Sequence, residues 1–248
     1  MPRRRLRPGR WIAVILLLAA AYVGWREYRR MVREHPERFP WTELHLADPI
    51  GPFTGRKLAG LASEPRRCIA LLGEAGLAEA ASPTLGSGEP NCRVEDGVEI
   101  RPEGPAAIDY APPGLITACP VAAALALWER ETVQPAARRR FGQAVTAINH
   151  AGSFSCRRLY GRSSGAFSEH ATADAVDITG FRLSDGTRVS VLADWRGGGD
   201  KAAFLREVRD GACDLFATVL SPDYNAAHAD HFHLDQAERG AMGWGGCR

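Results

Sequence analysis

A chain of 248 residues, 45% hydrophobic and 24% charged, has the make-up of a globular protein of one or two domains, which excludes a disordered, collagenous or solenoid chain. The formal net charge of +2 is unevenly placed, because residues 1 to 33 hold nine arginines against the single acid Glu27, a sum of +8 that leaves −6 for the rest. An acidic remainder argues against a nucleic-acid footprint on the globular part.

The first element is an apolar helix. Trp11 to Trp25 runs fifteen residues without a charge, bounded by Trp at both ends and preceded by five arginines. As a helix it measures about 22 Å, short of a ~30 Å hydrocarbon core but extended by snorkelling arginines and interfacial Trp and Tyr. It reads as an uncleaved transmembrane anchor. A cleaved signal peptide is the alternative, since Ala19-Ala20-Ala21 supplies small residues for cleavage, although bulky Tyr22 and Trp25 follow closely. The arginine-rich tip then stays cytoplasmic and residues 34 to 248 are exported, an orientation that the arginines after Trp25 weaken.

Residues 34 to 56 are rich in Pro, Gly and aromatics without a sustained period and read as a linker and extended lead-in. The exported domain then occupies residues 57 to 248. Leu58, Leu61, Ile69, Leu72 and Leu77 recur at helical intervals interrupted at Pro65, which predicts a helical pair. Residues 82 to 118 are turn-rich, with strand candidates at Gly97 to Ile100 and Ala107 to Tyr110. Pro120 suits a first helical turn, and Val121 to Val133 carries an apolar stripe at Ala124, Leu125, Leu127 and Trp128. Ala144 to Ile148 reads as a strand. Asp174 to Leu183 and Thr187 to Leu192 alternate and are joined by Ser184-Asp-Gly186, the mark of a hairpin. Lys201 to Phe216 predicts an amphipathic helix, and Ala217 to Leu220 and His231 to Leu234 two last strands. The sum is an α+β domain: a small antiparallel sheet flanked by helices.

Cys68, Cys92, Cys119, Cys156, Cys213 and Cys247 contain no C-x-x-C pair, so neither a zinc ribbon nor a thioredoxin motif is present. Three disulfides in an oxidising compartment are expected. Cys247, next to last, reads as a staple for the C-terminal tail with Cys213 as its partner; the other pairings stay open.

Chemistry concentrates in two stretches, residues 168 to 179 with His170 and Asp177, and residues 228 to 235 with His228, Asp230, His231 and His233. On a strand His231 and His233 share one face while Phe232 and Leu234 enter the core. His170, Asp177 and one histidine of the pair make a ligand set for zinc with a position left for water or substrate. With His233 as ligand, His231 stands one pleat away, able to take a proton from the attacking water. Asp230 is the competing base, but on a regular strand it points away with Phe232. Asp174 competes with Asp177, and their odd spacing lets only one face the site. His35, His45 and His150 read as structural, and His228 as a loop residue near the site.

Ser168-x-His170-x-x-Ala173-x-Ala175-x-Asp177 followed by His231-x-His233 resembles the S-x-H-x-x-G-x-A-x-D and H-x-H motifs of a zinc peptidase superfamily. That superfamily includes D-alanyl-D-alanine carboxypeptidases and dipeptidases, lysostaphin-type endopeptidases and hedgehog signalling domains. More closely, residues from about 45 onward resemble the bacterial extensin-like C-terminal domain family, through Leu46-Ala-Asp-Pro, Phe53 to Leu58, Ser155 to Gly161, Phe204 to Cys213 and Pro222 to His228. The resemblance implies His170, Asp177 and His233 as zinc ligands, His231 as catalytic, and an upstream arginine that holds the substrate. Arg157, Arg158 and Arg162 are the candidates, with Arg157 favoured, since a guanidinium fork suits a carboxylate or a polarised carbonyl. Ala173 stands where the pattern has Gly, which hints at a different backbone there.

The expected function is that of a zinc metallopeptidase cutting peptidoglycan stem peptides or crosslinks. It would be a single-pass inner-membrane protein with its C-terminal domain in the periplasm, its partners being the wall peptide and the membrane. A non-catalytic zinc-stabilised module that binds wall peptide or a partner protein is the alternative, and a disulfide-held structural domain without metal is a third.

Overall fold

The computed structural model describes residues 8–76, 85–86, 88–94, 97–101, 108–237 and 246–248. Leu77 and Ala107, named above, lie outside them. The apolar N-terminal segment forms α1 (Pro8–Glu34), and an 18-residue window within Gly9–Glu34 has a mean hydropathy of 1.3 with none of that window buried. It is long and apolar enough to cross a membrane and fits a single-pass anchor or a signal sequence. The lead-in after it is ordered rather than loose. A 3-10 turn at Pro36–Arg38 packs so closely on Gly51 that a Cβ there would strike the Glu37 carbonyl, and Leu44 and Leu46 are buried in the core.

The helical pair is α2 (Thr54–Gly60) and α3 (Pro65–Glu74), with Pro65 at the start of the second, where its missing N–H costs nothing. Short strands follow, β1 (Leu85–Gly86) with β2 (Arg93–Val94), and β3 (Gly97–Glu99) with β5 (Ile116–Ala118) beyond β4 (Asp109–Ala111). The core helix α4 (Cys119–Trp128) is apolar all round and buries every residue but Ala126, as a helix enclosed by other elements must.

The helix does not stop at Val133 as the sequence predicts. It widens into a π-turn over Glu129–Val133 and continues as α5 (Gln134–Phe141). Pro135 is the physical reason, because it has no N–H to give and its ring crowds the carbonyl four residues back, which a wider turn relieves. The π-turn begins at Glu129, partly buried, which accepts a short hydrogen bond from the Tyr110 hydroxyl of β4.

The main sheet runs β4-β6-β7-β10-β9, with β8 also paired to β7. Its members are β6 (Val145–Gly152), β7 (Ala175–Leu183), β8 (Arg188–Ser190), β9 (Thr218–Leu220) and β10 (Phe232–Asp235). It is antiparallel except that β4 lies parallel to β6, a pairing that the expected all-antiparallel sheet lacked. The hairpin β7–β8 is present, but its second strand ends at Ser190, and Leu192 belongs to a short helix, α6 (Val191–Asp194), capped by the Ser190 hydroxyl. α7 (Gly199–Ala212) then covers α4 and α5, its Val208 carbonyl accepting the Trp128 indole N–H at 2.7 Å. Rings of Trp128, Phe181, Phe204 and Phe141 continue this core in successive contacts of 5.1 to 5.8 Å.

Three disulfides join Cys68 to Cys119, Cys92 to Cys156 and Cys213 to Cys247. The last is the expected tail staple, and it lays residues 246–248 beside β9 through backbone hydrogen bonds of Val219 and Ser221.

Burial raises the Glu129 carboxyl to about 7 from its usual 4.5, against the Tyr110 hydrogen bond, which pulls it down. An unfolded Glu129 ionises first as pH rises through this window, so stability is lost between about pH 4.5 and 7, by up to about 3 kcal/mol. Urea unfolding at pH 5 and pH 8 is expected to show wild type losing ground to Glu129→Gln at the higher pH; equal pH dependence of the two proteins would refute the assignment.

Candidate metal centre

The register of β7 against β10 sets His233 directly opposite Asp177. Cross-strand partners on one face stand about 5 Å apart at Cβ, close enough for both side chains to reach one point. The face itself is decided by an irregularity. Against β6, Asn149 pairs with Gly180 but His150 pairs with Ile178, so Thr179 is an extra residue in β7. An inserted residue reverses the inside-outside alternation. Val176 and Ile178 therefore enter the core on one side of it, Phe181 and Leu183 on the other, and Asp177 is left facing out. Gly180 lies against the Val189 carbonyl of β8 at a distance that admits no Cβ.

His170 arrives from a 3-10 turn, Glu169–Thr172, capped by Ser168. The turn ends at Ala173 in the left-handed region, φ 54°, where Gly is the usual residue. Ala173, where the pattern has Gly, thus adopts a backbone conformation that Gly adopts freely. Ala173 is tied down from both sides, its carbonyl accepting from Ala118 N–H at 2.8 Å and from the Ser153 hydroxyl at 3.1 Å.

His170 Nε2 lies 3.1 Å from His233 Nδ1 and 3.2 Å from Asp177 Oδ2, and His233 Nδ1 lies 3.0 Å from Asp177 Oδ1. A tetrahedral ion with bonds of about 2.0 Å needs ligand atoms about 3.3 Å apart, close to this triangle. The outer nitrogens fix the tautomers. His170 Nδ1 donates to the Ser153 carbonyl at 2.7 Å, and His233 Nε2 donates to Asp235 Oδ2 at 3.3 Å. Each neutral ring is then left with a lone pair on its inner nitrogen, the arrangement by which outer partners orient metal ligands. The three residues are a group that could hold a metal ion.

With no ion, the charges answer one another. Burial would raise Asp177, but hydrogen bonds from His170 and His233, with the charges of His170 and His231, hold it far below the usual carboxylate range. Burial would lower His233, but Asp177 and Asp235 bonds and charges raise it to about 9. At neutral pH a proton therefore occupies the position a metal would take.

His231 lies one residue before β10 rather than in it, yet it faces the same group, with Nε2 3.5 Å from Asp177 Oδ1. Its Nδ1 is 2.7 Å from Asp230 Oδ1. Asp230 is 60% exposed and lies against the outer nitrogen of His231, so its geometry is that of an orienting partner. Asp174 precedes β7 and is not in the triangle. Phe232 and Leu234 are buried in the core, as strand parity predicts.

Arg157, Arg158 and Arg162 lie on an arm, residues 157 to 168, closed by a bridge between Arg158 and Phe167 and pinned at its base by the Cys92–Cys156 disulfide. Arg158 stacks over Phe167 at 4.2 Å and Arg162 over Tyr160 at 5.7 Å. Arg157 is exposed, and its charge reaches the site, adding to the depression of His228.

One feature escaped the sequence reading: Asp235 shares the face of His233 by strand parity, a signal that was there to use. His228, expected as a loop residue near the site, forms a wall of it, its ring 5.2 Å from that of His231 and 5.9 Å from that of His233. Its Nδ1 donates to Asn225 Oδ1 at 2.8 Å, which leaves the lone pair on Nε2. Burial, then the charges of His231 and His233, lower it to about 4, so it is neutral at pH 7. The loop carrying His228 and His231 is braced by the Trp195 indole, which donates to Asp223 at 2.8 Å.

The fold and the triangle define a disulfide-held α+β domain with a buried His-Asp-His group. Residues 66–248 match the family described as extensin-like protein C-terminus, and the chain belongs to that family. No curated protein and no solved structure is significantly similar to it.

Because His233 holds its proton up to about 9, metal binding below that pH must release it. Affinity for a divalent ion is expected to rise about tenfold per pH unit between pH 6 and 8, with about one proton released per ion in calorimetry across buffers. Asp235→Asn is expected to weaken binding by roughly 10- to 100-fold with the fold intact. A pH-independent affinity would show that His233 is not a ligand.

Proposed function

We propose that this protein is a zinc-dependent metallopeptidase, anchored in the inner membrane and acting in the periplasm on the stem peptides or crosslinks of peptidoglycan. The observation that carries this reading is the pair of outer hydrogen bonds, Ser153 on His170 and Asp235 on His233, which turn two imidazole lone pairs onto the Asp177 carboxylate. Two neutral rings so oriented face the carboxylate with lone pairs alone, an arrangement that a cation between them makes favourable. A site of two nitrogens and one carboxylate oxygen with an open fourth position suits a hydrolytic zinc. The resemblance of His170, Asp177 and His233 to a zinc peptidase pattern supports the same choice.

His170, Asp177 and His233 would hold the zinc, which would supply a Lewis acid and lower the pKa of the attacking water. His231, oriented by Asp230 through Nδ1, presents Nε2 to the site and is placed to take the proton from that water and return it to the leaving amine. Arg157, on an arm fixed by a disulfide, is placed to bind the substrate carboxylate or the developing oxyanion. His228, neutral with its lone pair on Nε2, is placed to accept an N–H of the bound peptide. Three disulfides and an apolar N-terminal helix support an extracytoplasmic domain held at a membrane.

The test is metal content and muropeptide release by the purified full chain, beside His233→Ala, His231→Ala and Arg157→Ala. Wild type is expected to hold about one zinc and to release peptides from purified sacculi. His233→Ala loses both, whereas His231→Ala keeps the metal and loses at least about 100-fold in rate. Metal without peptide release would leave a zinc-stabilised binding module, and no metal after zinc is offered would overturn both.

A further inference from the structure

Beyond the proposed active site lies an unusual run of aromatic contacts where the helix meets the domain. The Trp25 and Tyr28 rings stand 5.8 Å apart on α1, Tyr28 meets Phe39 edge-on at 6.0 Å, and Phe39 meets Trp41 at 5.3 Å. Tilted and edge-on ring contacts of this kind are usual in a core, yet Trp25 is 58% exposed and Trp41 65%. Phe39 and Trp41 are also held in place. Thr42 donates to the Phe39 carbonyl at 2.8 Å, and Lys57 of α2 donates to the Thr42 hydroxyl at 2.8 Å and the Pro36 carbonyl at 3.4 Å. Two residues past Thr42, Leu44 enters the core, and Arg130 of the π-turn donates to the Leu46 and Asp48 carbonyls. The ladder is thus a rigid bridge from the apolar helix to the folded domain.

Its surroundings identify what covers it. Trp25 closes the apolar stretch, and Tyr28 lies one turn further, about 4.5 Å along the axis. That rise falls within the headgroup layer, some 5 to 8 Å thick on each side of the hydrocarbon core, where Trp and Tyr rings concentrate. Arg26, Arg29 and Arg33 follow Trp25 along α1, interleaved with Tyr28, and make no ion pair among the described residues, as suits groups facing lipid phosphates. A protein partner needs no such cationic collar.

We propose that Trp25, Tyr28, Phe39 and Trp41 seat together in the interfacial layer of a phospholipid bilayer and hold the domain against its surface, in a fixed orientation. The proposal rests on α1 being retained as the anchor. It makes the membrane surface a second docking face of the domain itself, carried by Phe39 and Trp41.

The experiment uses the full chain labelled with fluorotryptophan in bilayer discs of phosphatidylethanolamine and phosphatidylglycerol, with and without lipid spin-labelled near the headgroup. Fluorine resonances are assigned by their loss in Trp25→Phe, Trp41→Phe and Trp195→Phe. Both Trp25 and Trp41 are expected to lose most of their intensity to the spin label, while Trp195, buried in the domain, keeps its own. Broadening of Trp25 alone overturns the ladder and leaves the anchor standing. Broadening of neither overturns the anchor, and the ladder with it.

Discussion

Asp177 faces His233 across β7 and β10, and the register that opposes them is the constraint on which the site depends. A slip of one residue would carry Asp177 into the core and an apolar neighbour into the site, so the register cannot drift without cost. The apolar contacts of Val176, Ile178, Phe232 and Leu234 on the reverse face enforce it. The extra residue at Thr179 allows Phe181 and Leu183 to join that core although they share parity with Asp177. Chemistry and packing therefore occupy one strand without competing for the same side.

Around this pair the protein spends most of its irregular structure on fixing directions. The left-handed Ala173 aims the turn that brings His170, Ser153 and Asp235 set the rings, and Trp195 braces the loop that carries His228 and His231. Each brace comes from a different place: the turn before β7, the residue after β6, β10 and the residue after α6. Such distributed support holds ligand directions better than a single flexible loop could.

Much of this was legible in the sequence. Spacing singled out His170, Asp177 and the His231–His233 pair, the resemblance implied His233 as the ligand of that pair, strand parity placed Phe232 and Leu234 inside, and the position of Cys247 near the end suggested its partner. What was not legible depended on pairing between distant strands. The bulge at Thr179 is visible only once β6 is alongside, and the parallel neighbour β4 only once the sheet is assembled. The apolar stripe predicted a helix over Val121 to Val133, whereas packing of α4 and α5 on the same core favoured continuing through a π-turn. Asp230 was assigned a direction from a regular strand that begins two residues later.

The disulfides carry a consequence for the history of the chain. They close separations of 51, 64 and 34 residues, and each ties a satellite to the body: α3 to α4, the outer turns to the Arg157 arm, and the C-terminal tail to α7. By chain entropy each is worth roughly 4 kcal/mol, so their sum is of the same order as the whole stability of a domain this size. None of them lies within the His-Asp-His group. A reduced chain could therefore assemble its ligands only fleetingly, with arm and tail loose, and becomes a durable molecule only where thiols are oxidised. Maturation of this fold is in that sense written as a dependence on place.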